Sequence, residues 1–163
     1  MPQLPLPLSI HQLAAVILTS ALSELGRGYD SPAARVMLTA IALQESGLSA
    51  RRQRGGPARG LWQFERGGVA GVLSHASSAG AAKAACKRAG VAANPASVCA
   101  ELEFNDVLAA VFARLLLWTD PKPLPVLGDS NGAWAYYLRN WRPGRPHPET
   151  WAANYAAAIK EVA

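Results

Sequence analysis

Glu45 is the residue whose position in this sequence most favours acid–base chemistry. The helical spacing of Leu38 and Ile41 continues to Glu45, so the carboxyl shares an apolar stripe. Burial and the negative end of the helix dipole both favour the protonated form of a carboxyl there. A carboxylic acid that keeps its proton near neutral pH can act as a general acid. In the alternative interpretation, Glu45 lies at the edge of the stripe and is solvated where the helix frays.

One helix is expected to position Glu45. Ser31 followed by Pro32 is a typical helix start, because a serine hydroxyl caps free N–H groups and a proline needs no N–H there. Gly47 is a typical stop, because glycine readily adopts the left-handed conformation that ends helices. The sequence therefore predicts a helix of about four turns with Glu45 in its last turn.

Two segments resemble the motifs of a known enzyme superfamily. Glu-Ser-Gly-Leu at 45–48 and Gly-Leu-Trp-Gln-Phe at 60–64 resemble the glutamate–serine and Gly-Leu-Met-Gln motifs of lytic transglycosylases and goose-type lysozymes. The interval from Glu45 to Gln63, 63 − 45 = 18 positions, is similar to that in the superfamily. Trp62 replaces the usual methionine and keeps a large apolar group. The whole chain is similar to small lysozyme-like proteins of phage and prophage gene sets.

The resemblance implies an enzyme that cleaves peptidoglycan at the β-1,4 bond between N-acetylmuramic acid and N-acetylglucosamine. Glu45 is then the general acid and base. Ser46 is a helper that hydrogen-bonds near Glu45, and Gln63 is a substrate contact whose amide matches an acetamido group. Trp62 stacks on a sugar face if it is exposed, whereas packing in the core is the alternative.

A second carboxylate decides which reaction completes the cleavage after protonation. Without one facing Glu45, the muramyl 6-hydroxyl attacks the anomeric carbon and leaves a 1,6-anhydro end, which is the lytic transglycosylase outcome that we expect. With Glu65, Glu103 or Asp106 across the cleft and room for a water, hydrolysis is expected instead. Glu65 is the nearest candidate in the sequence.

The third motif of the superfamily, Ala-Tyr-Asn-Ala-Gly, has a partial counterpart at 135–139, where its asparagine and glycine are missing. The resemblance lets one tyrosine hydroxyl reach the Glu45 carboxyl and hold it in position. Of the two neighbouring candidates we favour Tyr136 over Tyr137. In the alternative interpretation both tyrosines are packing residues.

Composition and patterning predict an all-α protein. Hydrophobic residues make up 50% of the chain, alanine is prominent, and the alternation typical of strands is almost absent. A chain of 163 residues is expected to form one domain, residues 1–163, around one core. With the resemblance, we expect a compact, lysozyme-like helical domain around a buried central helix, with at most a small hairpin near 60–65.

Capping signals predict the helix boundaries. Ser9 and Gln12 form a capping-box pattern that opens a helix ending before Gly26. A helix capped by Asn105 or Asp106 is apolar nearly all round, so we expect it to be the central one. Further helices are predicted at about 78–89, from Asn94–Pro95, from Ser130 or Asn131, and from about Glu149.

The chain is basic, with a net charge of +5, which favours an anionic partner such as nucleic acid, a membrane surface or the bacterial cell wall. Four arginines in the Gly-rich loop 51–59 line one rim of a cleft in one interpretation and form a solvated surface in the other. No predicted helix has the basic and amide face of a DNA-recognition helix, so no nucleic-acid partner is expected. The sequence indicates no particular oligomeric state.

Cysteine and histidine usage predicts no metal site and no cofactor, because the three histidines form no ligand-spaced cluster with each other or with the two cysteines. Cys86 and Cys99 either close a short loop in an oxidising compartment or remain buried thiols, and we favour the thiols.

The amino end lacks the basic region of a secretory signal, and the apolar run 13–22 is too short to span a bilayer. We therefore expect no membrane insertion and synthesis in the cytoplasm. A role at the cell wall then requires release through a holin lesion or transport in a virion. The alternative function is a non-catalytic phage structural or wall-binding protein with a lysozyme-like fold, which the departures in the third motif favour.

Overall fold

Helices joined by loops build residues 3–163, the part of the chain that the computed structural model describes. No β-strand occurs within this range, so the prediction of an all-α fold is confirmed. The helices are α1 (residues 10–25), α2 (Pro32–Ser46), α3 (Arg66–Ser74), α4 (Ala79–Ala89), α5 (Pro95–Glu101), α6 (Asp106–Trp118), α7 (Ser130–Trp141) and α8 (Pro148–Val162).

Helix α1 begins with the predicted capping box. The Ser9 hydroxyl accepts a hydrogen bond from the Gln12 N–H at 3.0 Å, and the Gln12 side chain accepts one from the Ser9 N–H at 2.9 Å. The middle of the helix, Leu13–Leu18, is a π-helix that the sequence did not predict. Gly26, with φ of 99°, ends α1 as expected.

Helix α2 has the predicted bounds and packs deep in the core. The Ser31 hydroxyl accepts from the Ala34 N–H at 3.1 Å, and Gly47 ends the helix in the left-handed conformation with φ of 57°. Leu38 and Ile41 are fully buried on the stripe that leads to the last turn. The local sequence signals therefore set both ends of the helix that carries Glu45.

Helix α6 is the buried central helix. Most of its side chains are inaccessible to solvent on every side, and it contacts α1, α2, α3 and α4. Asn105 caps it by accepting a hydrogen bond from the Leu108 N–H at 3.0 Å. The prediction of an apolar helix at the centre is confirmed.

Helix α2 lies between α6 on one side and α8 on the other, and its contact with α8 is the most extensive between any two helices described. Trp151, Tyr155 and Ala158 of α8 are buried there. This packing fixes the carboxyl end of α2 against the last part of the chain.

The region between α2 and α3 is irregular. Two isolated β-bridges pair Arg52 with Arg59 and Arg59 with Phe64. They do not extend into a hairpin, in agreement with the expectation of at most a small hairpin near 60–65. None of the helices in residues 3–163 combines the length and apolar character that crossing a membrane requires.

Candidate functional site

Glu45 is a partly buried acid whose carboxyl is held by one phenol. The Tyr137 hydroxyl donates a hydrogen bond to Glu45 Oε1 at 2.7 Å. Burial raises the pKa of Glu45, and the hydrogen bond from Tyr137 opposes that shift without cancelling it. Burial and the neighbouring Glu45 carboxyl also raise the pKa of Tyr137, so the phenol keeps its proton and remains a donor.

Stacked aromatic rings fix the position of Tyr137. Its ring lies on Trp151 with centroids 5.2 Å apart and planes 12° apart, and Trp134 contacts both rings at 5.3 and 5.4 Å. Tyr155 extends the stack beyond Trp151. Since α7 and α8 both contribute rings, the position of the phenol depends on the packing of these two helices.

A groove of about 670 Å³ opens beside Glu45. Its walls come from the end of α2, the segment 63–68, the last turn of α7 and the loop 142–147. Glu45 and Tyr137 both line it, so the partly buried acid is accessible to a ligand in the groove. The volume is within the range typical of sites that bind small molecules or short polymer segments.

Gln63 reaches the groove because of the strained turn that precedes α3. Gly60 has φ of 76°, and a Cβ at this position would lie 2.8 Å from the Leu102 carbonyl oxygen, so glycine is required there. Gln63 is itself left-handed, with φ of 50°, and its Nε2 donates to the Gly60 carbonyl at 2.9 Å. That bond uses one amide hydrogen and leaves a second N–H and the oxygen for a ligand.

Trp62 does not line the groove. Its side chain has no exposed surface, and its indole N–H donates to the Leu38 carbonyl at 2.8 Å. The expectation that Trp62 stacks on a sugar is therefore wrong, and the core interpretation is correct. Trp141 is the tryptophan that lines the groove, with its indole N–H bound to the Trp62 carbonyl at 3.0 Å.

Ser46 also has a packing role rather than a place in the groove. Its hydroxyl donates to the Leu61 carbonyl at 2.7 Å and approaches the Ala42 carbonyl at 3.1 Å. The expected hydrogen bond near the Glu45 carboxyl is absent, because these two backbone acceptors use the hydroxyl. Ser46 instead joins the end of α2 to the turn that carries Gln63.

The preference for Tyr136 over Tyr137 is wrong. The Tyr136 hydroxyl donates to the Leu117 carbonyl at 3.0 Å and is buried. Adjacent residues on a helix point about 100° apart, so only one of the two phenols can face α2. Tyr137 is that residue.

Glu65 is the one member of the three candidate second carboxylates that lines the groove. It lies on the wall that also carries Gln63, and its side chain is exposed. Glu103 forms an ion pair with Arg59 at 3.1 Å, and Asp106 forms one with Arg51 at 2.7 Å. These two carboxylates neutralise arginines of the loop 51–59 outside the groove.

Basic residues approach the groove from a loop that the sequence did not single out. Arg142, Arg145 and His147 lie on the loop 142–147, whereas the loop 51–59 contributes Gln53 and Ala58 rather than arginines. Arg142 caps α7 in the left-handed conformation with φ of 49°. The expectation that arginines of 51–59 line the rim is therefore corrected.

Asn140 and Trp141 are groove residues that sequence reasoning missed as site residues. They lie three and four positions after Tyr137, which is the spacing of side chains that share one face of a helix. Once Tyr137 is known to face Glu45, this spacing alone identifies both of them.

Neither a metal cluster nor a disulfide occurs in the described range 3–163. No three side chains of His, Cys, Asp or Glu come together there as metal ligands. Cys86 and Cys99 are both buried free thiols, as favoured from the sequence, and burial raises the pKa of each.

None of the known protein families, curated proteins or solved structures matches this chain.

Proposed function

We propose that this protein cleaves the β-1,4 bond between N-acetylmuramic acid and N-acetylglucosamine in peptidoglycan, with Glu45 as general acid and base. The observation that carries the proposal is the Glu45 carboxyl itself: its pKa is raised by burial, Tyr137 holds it at 2.7 Å, and it lines a groove of about 670 Å³. Burial favours the protonated form of this carboxyl, and a protonated carboxyl beside a ligand groove is what protonation of a glycosidic oxygen needs.

In the proposed reaction the Glu45 proton passes to the bridging oxygen as the bond from that oxygen to the anomeric carbon breaks. The sugar acquires oxocarbenium character, and the muramyl 6-hydroxyl attacks the anomeric carbon. Glu45, now a carboxylate, takes the proton of that hydroxyl, so the acid is regenerated and the product is a 1,6-anhydro end. This is the lytic transglycosylase outcome, in which no water is consumed.

Glu65 is the residue on which the hydrolytic alternative depends. A carboxylate on the groove wall can activate a water that attacks the anomeric carbon in place of the muramyl hydroxyl. Under the proposal, Glu65→Gln changes the rate by less than about tenfold, and the products keep their anhydro ends. If the wild-type products instead carry reducing ends, and if Glu65→Gln abolishes their release, the protein is a hydrolase.

Zymography on purified peptidoglycan tests the proposal. Wild-type protein is expected to clear the gel, and Glu45→Gln is expected to abolish clearing while its helical circular dichroism is unchanged. Mass spectrometry of the released muropeptides then separates the two outcomes, because an anhydro end lacks one water relative to a reducing end. Equal clearing by Glu45→Gln would remove this residue from the chemistry.

A wall-binding protein without catalysis is the second candidate, since the asparagine and glycine of the superfamily's third motif are missing at 135–139. It predicts that wild-type protein sediments with peptidoglycan without releasing muropeptides. In either case the proposed site of action is the cell wall, reached through a holin lesion or in a virion.

A further inference from the structure

Asn140 presents one end of its amide to the groove beside the proposed acid. It lies on the last turn of α7, one turn beyond Tyr137 and on the same face of the helix. Nothing in the reaction described above uses it. Its hydrogen bonds decide what it can offer to a ligand.

Both N–H groups of the Asn140 amide are already used within the protein. Nδ2 donates to Asp120 Oδ2 at 2.8 Å and to the Tyr136 carbonyl oxygen at 2.9 Å. An asparagine amide has two donor hydrogens, so no N–H remains for a ligand.

An ion pair fixes the orientation of this amide. The Asp120 carboxylate is 4% exposed and accepts from Arg139 Nε at 2.7 Å and from the Lys122 N–H at 2.9 Å. If the Asn140 amide rotated by half a turn, its oxygen would face this carboxylate and a carbonyl, which are both acceptors. The repulsion excludes that orientation, so the nitrogen faces Asp120 and the oxygen faces away from it.

The Asn140 oxygen accepts no hydrogen bond from residues 3–163. Within this range, Thr39 Oγ1 is the one buried side-chain polar atom without a partner, so the Asn140 oxygen is accessible to solvent. The groove thus holds a rigid group that can accept a hydrogen bond and cannot donate one. Gln63 differs, because its amide keeps a free N–H as well as its oxygen.

We propose that Asn140 is a specificity-determining residue that accepts a hydrogen bond from the acetamido N–H of an N-acetylated sugar in the groove. The inference rests on the proposed function, since it places a glycan there. A sugar hydroxyl rotates and both donates and accepts, and Gln63 can serve either role. An acetamido N–H is planar and only donates, so a fixed group that only accepts is its complement, and an N–H buried without such a partner weakens binding.

Nuclear magnetic resonance with ¹⁵N-labelled tetra-N-acetylchitotetraose tests this assignment directly. The protein carries Glu45→Gln so that the oligosaccharide is not cleaved. We expect one sugar amide proton to move downfield on binding, because a hydrogen bond to a carbonyl oxygen deshields it. Adding Asn140→Ala should abolish that movement and raise Kd about five- to tenfold, as expected for one hydrogen bond.

Asn131→Ala is the matched control, because Asn131 is exposed on the same helix and lies outside the groove lining. It should leave both Kd and the amide proton unchanged. If Asn140→Ala lowers the melting temperature, Asn140→Ser is the second variant. Its hydroxyl keeps a donor for the Tyr136 carbonyl, but its side chain is too short to place an oxygen where the amide oxygen lies, so it should show the same loss of the downfield proton.

The outcomes separate this inference from the proposed function. A parent protein that binds neither this oligosaccharide nor purified peptidoglycan would overturn both. A parent protein that binds peptidoglycan but not this oligosaccharide would overturn the inference alone. If the parent binds the oligosaccharide but Asn140→Ala does not change the chemical shift of any sugar amide proton, the inference alone would be overturned. Weaker binding without any change of an amide proton would show that a hydroxyl is the donor, and that too would overturn the acetamido assignment.

Discussion

The hydrogen bond from Tyr137 controls both the position and the acidity of Glu45. Without it, the carboxyl loses an interaction that lowers its pKa, so the pKa of Glu45 rises further. Tyr137→Phe should therefore move the alkaline limb of the activity profile to higher pH. The rate at the optimum should fall about 10- to 100-fold, because the acid is less well oriented. Peptidoglycan solubilisation measured as a function of pH checks both effects.

Tyr136→Phe is the control for this experiment, because the Tyr136 hydroxyl binds the Leu117 carbonyl away from the groove. It should retain wild-type activity and profile, although the lost buried bond costs about 0.5–1.5 kcal/mol of stability. An unchanged profile in Tyr137→Phe would contradict the role given to the phenol.

Glu45 should also make the stability of the protein depend on pH. Burial raises its pKa in the folded state above the ordinary value of 4.5. As pH rises past that value the unfolded chain loses the proton while the folded chain keeps it, so the free energy of unfolding falls until the folded carboxyl ionises too. Each tenfold change in the acid dissociation constant corresponds to about 1.4 kcal/mol.

Glu45→Gln removes this ionisation, so the variant should be more stable than wild type near neutral pH and lose that advantage near about pH 4. Thermal unfolding of both proteins across this range measures the difference. An advantage that stays constant with pH would show that Glu45 ionises in the folded state as it does in the unfolded chain.

Sequence spacing located Glu45 and Gln63, and the structure places both in the groove. The spacing did not show which of two neighbouring side chains faces the groove. The choice between Tyr136 and Tyr137 depends on how α7 is rotated against α2. The burial of Trp62 depends on a carbonyl of Leu38, 62 − 38 = 24 positions earlier. Both are tertiary facts that local patterns do not contain.

At the level of elements, Gln44 joins α2 to the start of α8. Its Nε2 donates to the His147 carbonyl at 2.9 Å, and its Oε1 accepts from Thr150 Oγ1 and Asn154 Nδ2 at 3.1 and 2.9 Å. Gln44→Ala should lower the free energy of unfolding by about 1–2 kcal/mol and speed amide hydrogen exchange in the first turn of α8.

Gln44→Glu is the matched variant, because a carboxylate still accepts from Thr150 and Asn154 but cannot donate to His147. Its second oxygen faces the His147 carbonyl oxygen and repels it, so this variant should lose at least as much stability as Gln44→Ala. Denaturant unfolding and hydrogen exchange measure the two effects, and a smaller loss in Gln44→Glu would contradict the contribution given to the bond to His147.

Helix boundaries were predictable where capping residues set them. The capping box of Ser9 and Gln12, the Ser31 cap and the Gly47 stop all act within a few residues of the helix end, so the sequence contains the complete signal. The π-helical segment Leu13–Leu18 was not predictable, because all six of its residues are apolar and such a run does not distinguish one helical period from another.

At the scale of the whole molecule, the Arg51–Asp106 pair joins three distant parts of the chain. Arg51 Nε and Nη2 donate to the two Asp106 carboxylate oxygens at 2.7 Å each, and Nη2 also donates to the Leu4 carbonyl at 2.8 Å. The side chains are 10% and 6% exposed. Asp106→Asn should destabilise the fold by about 3–5 kcal/mol, because it leaves the guanidinium buried without a counter-charge.

The double variant Arg51→Met with Asp106→Asn removes the charge as well as the pair, so it should recover part of that loss. Guanidinium chloride unfolding of wild type and the two variants measures the recovery. A double variant less stable than Asp106→Asn alone would contradict the argument from an uncompensated charge.

Composition and helical periodicity were sufficient to predict an all-α chain around α6, since the apolar circumference of that helix is a local property. The packing of α8 on α2 was not predictable, because it joins segments that lie far apart in the sequence. That packing brings the loop 142–147 to Glu45, so the basic side of the groove could not be found from sequence.

The stack of Tyr137 on Trp151 provides an intrinsic spectroscopic probe of the state of Glu45. Rings 5.2 Å apart in a fixed, asymmetric arrangement are expected to couple electronically and to give a near-ultraviolet circular dichroism signal. Because the same phenol holds Glu45, any event that moves or deprotonates the carboxyl also disturbs the coupled chromophores. Ionisation of Glu45 and binding of a ligand in the groove should thus be measurable by spectroscopy of the native protein, without a label and without catalysis.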